Sequence, residues 1–371
     1  MLKQILLTAT LLAGSLGAQS LNESLEARKN AFLDRAPAEL VASQNRALRE
    51  LEESGIYEKV LKVGDRAPDF SIKNQDGENV RLSERLERGP VVLTWYRGAW
   101  CPYCNITLAA LADTRNEIES LGAQLVALTP ELPGVTTDTT QEMKLGFDVL
   151  TDLNHQVADQ YGLVFRLNDE TAKRYEEKFD LVKRSGAEAA NRLPLPATYL
   201  VSQSGIITYA FVDADYRRRA EPSRILDALK ALRDGPSGTH MVQQFWENTW
   251  NPPYDLDLID HLMTEDFVIT SAGRDITGRD AFKQWVKDFQ TKARGLRLEN
   301  REIFPSEKGD RVVSRWIARA NNGGVLGTKA DNQPVEFTGI AIWEIRDGKL
   351  AHNWVERSAW EMFQSIQKQQ P

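Results

Sequence analysis

Cysteine and histidine are scarce in this chain: 371 residues hold 2 cysteines and 4 histidines. A structural zinc site draws about four ligands from these residue types. With no third cysteine, and only His155, His240, His261 and His352 to add, neither a metal nor any other cofactor is expected. A disulfide staple is unneeded as well, since the 42% hydrophobic content supplies an ample core and so tight a loop would remove little unfolded-state entropy. Positive charge is in deficit, with 46 Lys and Arg against 53 Asp and Glu and a net charge of −7. Such a surface repels phosphates, and its best basic cluster, Arg217-Arg218-Arg219, is short, so nucleic acid is excluded as a partner. The apolar run from Ile5 to Leu16 is too short to span a bilayer.

That run fits an export signal. Lys3 gives the positive start, Ile5 to Leu16 the apolar stretch, and Ala18-Gln19-Ser20 a small-x-small cleavage site. Residues 1–20 are therefore expected to send the protein to the periplasm or out of the cell, where a thiol pair meets an oxidising environment and needs a reducing partner. Both cysteines lie between a β-branched, extended stretch, Val91 to Trp95, and the residues Leu108, Leu111, Ile118 and Leu121, which recur at helical spacing. Cys101 and Cys104 thus fall on the first turn of a helix. Unpaired N–H groups and the positive dipole end stabilise a thiolate there. Both are predicted catalytic residues, and the helix-cap position favours Cys101 as the more acidic thiol.

Residues 21–60 read as an N-terminal helical extension, with Leu25, Phe32, Leu40, Leu48 and Leu51 on one apolar face. Over residues 61–233, a turn at Asp76-Gly77 and strands at Gln124 to Leu128, Phe147 to Leu150, Thr198 to Ser202 and Ile206 to Val212 alternate with helical stretches. This predicts an α/β domain with a central mixed sheet. Gly, Pro and Ser crowd residues 234–239, a linker. Beyond it, over 240–364, helical stretches at Met241 to Trp250, Leu256 to Met263 and Arg279 to Thr291 precede strands at Arg311 to Arg319, Val335 to Ile345 and Leu350 to Arg357. That order predicts an α+β domain with a curved antiparallel sheet. It contains no cysteine and would build its own core, so residues 238–371 are expected to fold alone and to contribute nothing essential to thiol turnover.

Four segments, Gly64-x-x-Ala67-Pro68-Asp69-Phe70, Tyr96 to Cys104, Leu195-Pro196-Ala197-Thr198-Tyr199-Leu200-Val201 and Asp213 to Pro222, make residues 25–233 resemble the AhpC/TSA peroxiredoxin-like branch of the thioredoxin fold. The resemblance implies a thiol peroxidase or disulfide reductase cycling a Cys101–Cys104 dithiol. Its substrate would be a peroxide or a disulfide, and its reductant a thioredoxin-like or other thiol. Arg97 and Trp100, beside the cysteines, take supporting roles, as does Pro196, whose bond is usually cis in this family. Two routes are open. In the thioredoxin pattern Cys101 attacks a partner disulfide and Cys104 resolves it; in the peroxiredoxin pattern Cys104 attacks peroxide and Cys101 captures the sulfenic acid. Typical peroxiredoxins place a Thr where Cys101 stands and an Arg about where Pro196 stands. Slow peroxide turnover is therefore expected unless Arg97 or Arg192 fills the missing role.

The second domain resembles the SnoaL-like group of nuclear-transport-factor-like α+β cones. Its motifs are Leu262-Met263-x-x-Asp266-Phe267-Val268, Gly278-Arg279-Asp280-Ala281-Phe282, Phe337-Thr338-Gly339 and Ile345-x-Asp347-Gly348-Lys349-Leu350-x-x-Asn353-Trp354. The resemblance implies a pocket with Glu356 as general acid or base, His352 and Trp354 on the same strand face, and a homodimer through this domain. A competing reading makes the chain a redox-sensing protein that binds a small ligand in the cone.

Overall fold

The structure, a computed structural model, describes residues 20–235 and 237–369. The export-signal stretch Ile5 to Leu16 lies outside the described residues. Ser20 caps the helix Leu21–Leu33: its Oγ accepts the Glu23 backbone N–H at 3.2 Å while the Glu23 carboxylate accepts the Ser20 N–H at 2.8 Å. This helix sets Leu21 and Leu25 into the core that holds the cysteines. The next helix, Ala38–Glu53, buries only Ser43.

The first domain contains β1 (Ser71–Lys73), β2 (Asn79–Arg81), β3 (Val91–Trp95), β4 (Gln124–Thr129), β5 (Asp148–Thr151), β6 (Val164–Arg166), β7 (Arg192–Pro194), β8 (Ala197–Val201) and β9 (Ile207–Val212). The first two form the hairpin expected at Asp76-Gly77. Its main sheet runs in the order β5-β4-β3-β8-β9, with β3 parallel to β4 and antiparallel to β8. This is the mixed sheet the sequence predicts. The pair β6 and β7 was not predicted, because three-residue strands are too short to show alternation. Strand β3 is buried along its whole length, and its period of two sorts the side chains. Val91, Leu93 and Trp95 enter one core; Val92 enters the other, with Tyr96 just beyond the strand and both cysteines. Trp95 therefore turns away from the thiols, onto Tyr161 and Tyr199.

The linker is shorter than predicted. The helix Pro222–Asp234 ends at Gly235, and Ser237 already caps the helix Gly238–Gln244 by accepting the His240 N–H at 3.1 Å. The second domain adds β10 (Met263–Ser271), β11 (Arg274–Thr277), β12 (Ala293–Pro305), β13 (Arg311–Asn322), β14 (Pro334–Arg346) and β15 (Lys349–Arg357), in the order β11-β10-β15-β14-β13-β12. The sheet is mixed rather than antiparallel, because β10 arrives by a helical connection and lies parallel to β15. The strand β12 escapes sequence reading because Arg294, Arg297, Glu299, Arg301 and Glu302 crowd it and two register shifts break its period. The helix Ala359–Gln369 seats Met362 and Ile366 in the core, which carries the domain past residue 364.

The second domain has a core of its own, apart from those of the first, but the interface between the domains is not inert. Val63 packs against both cores, and Tyr57 stands edge-on to Tyr254 at 6.0 Å. Arg224 pairs with Glu247 at 3.3 Å, and Arg297 reaches across to Asp213 at 2.8 Å and Glu52 at 2.5 Å. A second domain indifferent to the first would not make these contacts.

His155 is fully enclosed, and burial, reinforced by Arg192, lowers its pKa from 6.5 to about 4. The unfolded chain takes up this proton near pH 6.5 and the folded chain only near 4, so stability present above that window is lost as pH falls through it. Thermal unfolding followed by circular dichroism should show Tm declining across this range, with a flatter decline in His155→Asn. Equal slopes would remove His155 as the source.

Candidate active site

Cys101 caps the helix Pro102–Ser120, with Pro102 opening the first turn and Cys104 within it. The chain reaches this cap from β3 through Tyr96-Arg97-Gly98-Ala99-Trp100. Gly98 has a φ of +145°, and a Cβ there would stand 2.3 Å from Trp100 Nε1, so the loop requires glycine. The loop is fastened on two sides. Glu131, buried just beyond β4, accepts the Ala99 N–H at 2.8 Å and is paired with Arg184 at 3.1 Å, while Asn105 Nδ2 donates to the Ala99 carbonyl at 2.9 Å.

Both cysteines are reduced and buried, and their acidities diverge. Burial alone would push the Cys104 thiol up. It is overcome by a hydrogen bond from Cys101, the charges of Arg219 and Arg97, and the Arg97 backbone N–H, which together hold Cys104 well below the ordinary thiol value. Cys101 keeps the burial penalty, donates to the Cys104 sulfur and is pushed well above it. This reverses the sequence expectation of an acidic Cys101. The helix terminus favours a thiolate at either position and the charges of Arg97 and Arg219 act on both thiols, but the Arg219 hydrogen bond is made to Cys104.

Arg219 Nη2 lies 3.3 Å from Cys104 Sγ. The residue is buried, and Nη1 donates to the carbonyls of Tyr216 and Arg218. Arg97 is buried too, in an aromatic box: its guanidinium carbon is 4.4 Å from the Tyr216 ring centre, 4.9 Å from Trp100 and 5.3 Å from Tyr175. Beside it opens a cavity of about 50 Å³, lined by Leu48 and Leu51 of the N-terminal extension together with Phe165, Tyr175 and Tyr216.

Sequence reading missed Arg219. Nothing local separates it from Arg217, which Asp215 binds at 2.7 Å; only its place in the block Asp213 to Pro222 pointed there. Trp100 forms one wall of the Arg97 box. Pro196 departs from the expected cis form, since the cis bond among the described residues is Pro252–Pro253. The chain from β7 to β8 stays extended, and Pro196 offers its carbonyl to the Asp213 N–H at 3.4 Å. Arg192 pairs with Asp159 at 2.6 Å and does not join the thiols.

His352, Trp354 and Glu356 do share one face of β15, but it is the outer face. The rings of His352 and Trp354 are stacked at 3.8 Å, and His352 Nε2 lies 2.8 Å from Thr270 Oγ1. Glu356 is exposed. The inner face carries Asn353 and Val355, and the interior is filled by Phe245, Trp246, Phe267, Phe282, Trp316 and Trp343. The predicted pocket around Glu356 is therefore not formed. Alternation identified the faces but not which was inner, because β15 sets a polar Asn inside and an aromatic Trp outside.

Residues 63–210 match the model of the AhpC/TSA family, and residues 242–353 that of the SnoaL-like domain. Peroxiredoxin Bcp of Escherichia coli (strain K12) is 32% identical over 103 residues, covering 28% of this chain and 65% of that protein. The chain thus spans less than two thirds of that curated relative. Chloroplastic peroxiredoxin Q of Triticum aestivum is 23% identical over 201 residues, covering 54% of this chain and 80% of that protein. Among solved structures, peroxidoxin BcpB from Mycobacterium tuberculosis has a TM-score of 0.38 and 21% identity, covering 47% of this chain and 99% of that one. In order along the chain, then, stand a domain that matches the AhpC/TSA family model, residues 63–210, and one that matches the SnoaL-like domain model, residues 242–353.

Proposed function

We propose that the protein is a thiol-dependent peroxidase in which Cys104 attacks and Cys101 resolves. The observation that carries this reading is the buried Arg219 guanidinium, whose Nη2 lies 3.3 Å from the Cys104 sulfur, with Arg97 buried beside both thiols. The Cys104 thiolate attacks the terminal peroxide oxygen and the O–O bond breaks. The departing oxygen takes a proton and leaves as water or an alcohol, and Cys104 becomes a sulfenic acid. The Cys101 thiol then attacks the sulfenic sulfur, water leaves, and the Cys101–Cys104 disulfide forms. A thioredoxin-like or other thiol reductant supplies two electrons, is itself oxidised to a disulfide, and restores both thiols.

Arg219 and Arg97 stand in for the family Thr and Arg that the sequence lacks. Preorganised guanidinium N–H groups stabilise charge on the departing oxygen, so turnover should exceed the slow rate inferred from sequence. The disulfide-reductase route requires an exposed, acidic Cys101. That residue is only 1% exposed, and its thiol is shifted the other way. The names of the relatives agree with the peroxidase reading, and the pattern of residues 1–20 supports action in the periplasm or outside the cell.

The outer face of the second sheet supports a homodimer. Phe304, Val313, Ile342 and Trp354 are register partners across four successive strands, and Phe304, Ile342 and Trp354 are exposed. The adjoining row, Glu302, Arg315, Ile340 and Glu356, carries both signs of charge. A self-complementary twofold interface needs such a patch. Sedimentation equilibrium should give a dimer that Ile342→Glu dissociates; a monomeric parent protein would end this assignment.

For the chemistry, Cys104→Ser should abolish peroxide consumption, whereas Cys101→Ser should form a sulfenic acid on Cys104, visible by mass spectrometry, and stall. Peroxide turnover in Cys104→Ser would overturn the assignment. Because the Cys104 pKa is depressed, the reaction rate should hold steady as pH falls below the ordinary thiol range and decline only beneath the shifted value. Arg219→Met should move that decline to higher pH and cost roughly a hundredfold in rate at neutral pH, the typical worth of one such donor. An unchanged stopped-flow profile would remove Arg219 from the mechanism.

A further inference from the structure

Arg297, on β12 of the second domain, extends its guanidinium into the first domain and grips two carboxylates. Its Nη1 and Nη2 donate to Asp213 at 2.8 and 3.1 Å, and Nη2 also donates to Glu52 at 2.5 Å. This planar, two-pronged hold on Asp213 is geometry that arginine supplies and lysine does not. Each carboxylate sits at a junction of the thiol site. Asp213 follows the last residue of β9 and opens the loop that runs to Pro222. Its Oδ1 also accepts the Asp215 N–H at 2.8 Å, and the next N–H, of Ala214, donates to Tyr57 Oη at 2.8 Å. Further along this loop Tyr216 covers Arg97, and Arg219 reaches Cys104. Glu52 is near the end of the helix Ala38–Glu53, which brings Leu48 and Leu51 over the cavity beside Arg97.

We propose that Arg297 is a positioning residue of the thiol site: by holding Asp213 and Glu52 it fixes the loop that carries Arg219 to Cys104 and seats the helix that roofs Arg97. The second domain, though it has no cysteine, is then a working part of the redox centre. The inference rests on the peroxidase reading only in taking Cys104 as the reactive sulfur. Charge balance supports it. Burial pushes the Glu52 carboxyl up against the pull of Arg297, with Asp213 and Asp215 adding to the push, and Tyr57 and Tyr254 flank the same guanidinium. Without Arg297, Asp213 and Glu52 would be left as neighbouring carboxylates without the guanidinium that both bind, and they would separate. That separation loosens the loop at its root. On the thiol side the groups acting on Cys104 are Cys101, Arg219 and Arg97, with Tyr96 and Glu131 also within electrostatic reach. Withdrawal of Arg219 alone tips that balance toward the protonated thiol.

The test is the pH profile of Cys104 alkylation by iodoacetamide in the reduced, full-length protein. Peptide mass spectrometry resolves Cys104 from Cys101, and no peroxide is needed. In Arg297→Ala the Cys104 midpoint should rise by about one pH unit, a roughly tenfold loss of thiolate at pH values beneath it. Arg297→Lys keeps the charge without the two-pronged grip and should move the midpoint part of the way. Near-UV circular dichroism checks that each variant is folded. Profiles superimposable on that of the parent overturn the proposal; if Arg297→Ala does not fold, the Arg297→Lys profile decides by the same criterion. A peroxidase assay on the same samples separates the two readings. A parent protein that consumes no peroxide, alongside shifted Arg297 profiles, would sink the peroxidase and leave Arg297 in its role.

Discussion

Two guanidinium groups enclosed by protein beside a buried pair of thiols are the constraint around which the site is arranged. Taking an ionised group out of water costs several kcal/mol even after the surroundings relax, and Cys104 is 0% exposed. Two guanidinium groups offset that cost, yet each is itself buried and would be unfavourable there without a counter-charge. Arg97, Arg219 and the Cys104 thiolate are therefore stable as a set and not singly. Much of the surrounding detail follows from the need to place them. Glycine at position 98 lets the backbone bend so that the Arg97 amide meets the sulfur, Glu131 ties down the next peptide, and the Asp215–Arg217 pair shapes the loop from which Arg219 returns.

The same enclosure sets the terms of access. Any small reagent must reach a sulfur that has no solvent-facing surface, and the cavity beside Arg97 is roofed by the helix Ala38–Glu53. That helix has Ser43 as its one fully buried residue and lays the half-buried Leu51 against the first domain's core. Polar contacts hold it, with Ser43 Oγ donating to Glu170 at 2.5 Å and Asn168 donating to Glu50 at 3.4 Å. With Leu48 and Leu51 turned toward Arg97 and Glu52 held by Arg297, the extension closes this side of the site.

The sequence showed most clearly what local patterning controls. The extent of β3, the helix begun by Cys101, the mixed sheet and the order of the two domains all follow from periodicity and capping, and the structure has them. Alternation along β15 correctly grouped His352, Trp354 and Glu356. It failed at the next step, because which face turns inward depends on the helices packed beneath the sheet. The cysteine roles stayed open in the sequence for a related reason. A helix cap can be read from neighbours in sequence, whereas Arg219 reaches Cys104 from a loop more than a hundred residues away. No short-range signal distinguishes it from Arg217, whose charge is satisfied two residues back by Asp215.

A cone whose interior is already filled has its chemistry left to its surface. Trp246 and Trp343 both donate to Ser314 Oγ at 3.2 Å, deep in a cluster of aromatic rings, and close packing of this kind gives a rigid body with little room for a ligand. Rigidity is what a distant support requires. An arginine on a mobile loop would lose much of its hold on Asp213 to side-chain and backbone entropy, but β12 is paired along most of its length with β13, so Arg297 is held by the sheet. The thiolate needs cations at fixed distances, the loop carrying one of them lies at the domain boundary, and the element across that boundary is a sheet edge. A fold usually read for what it holds inside thus becomes, through its edge strand, a brace for chemistry performed next door.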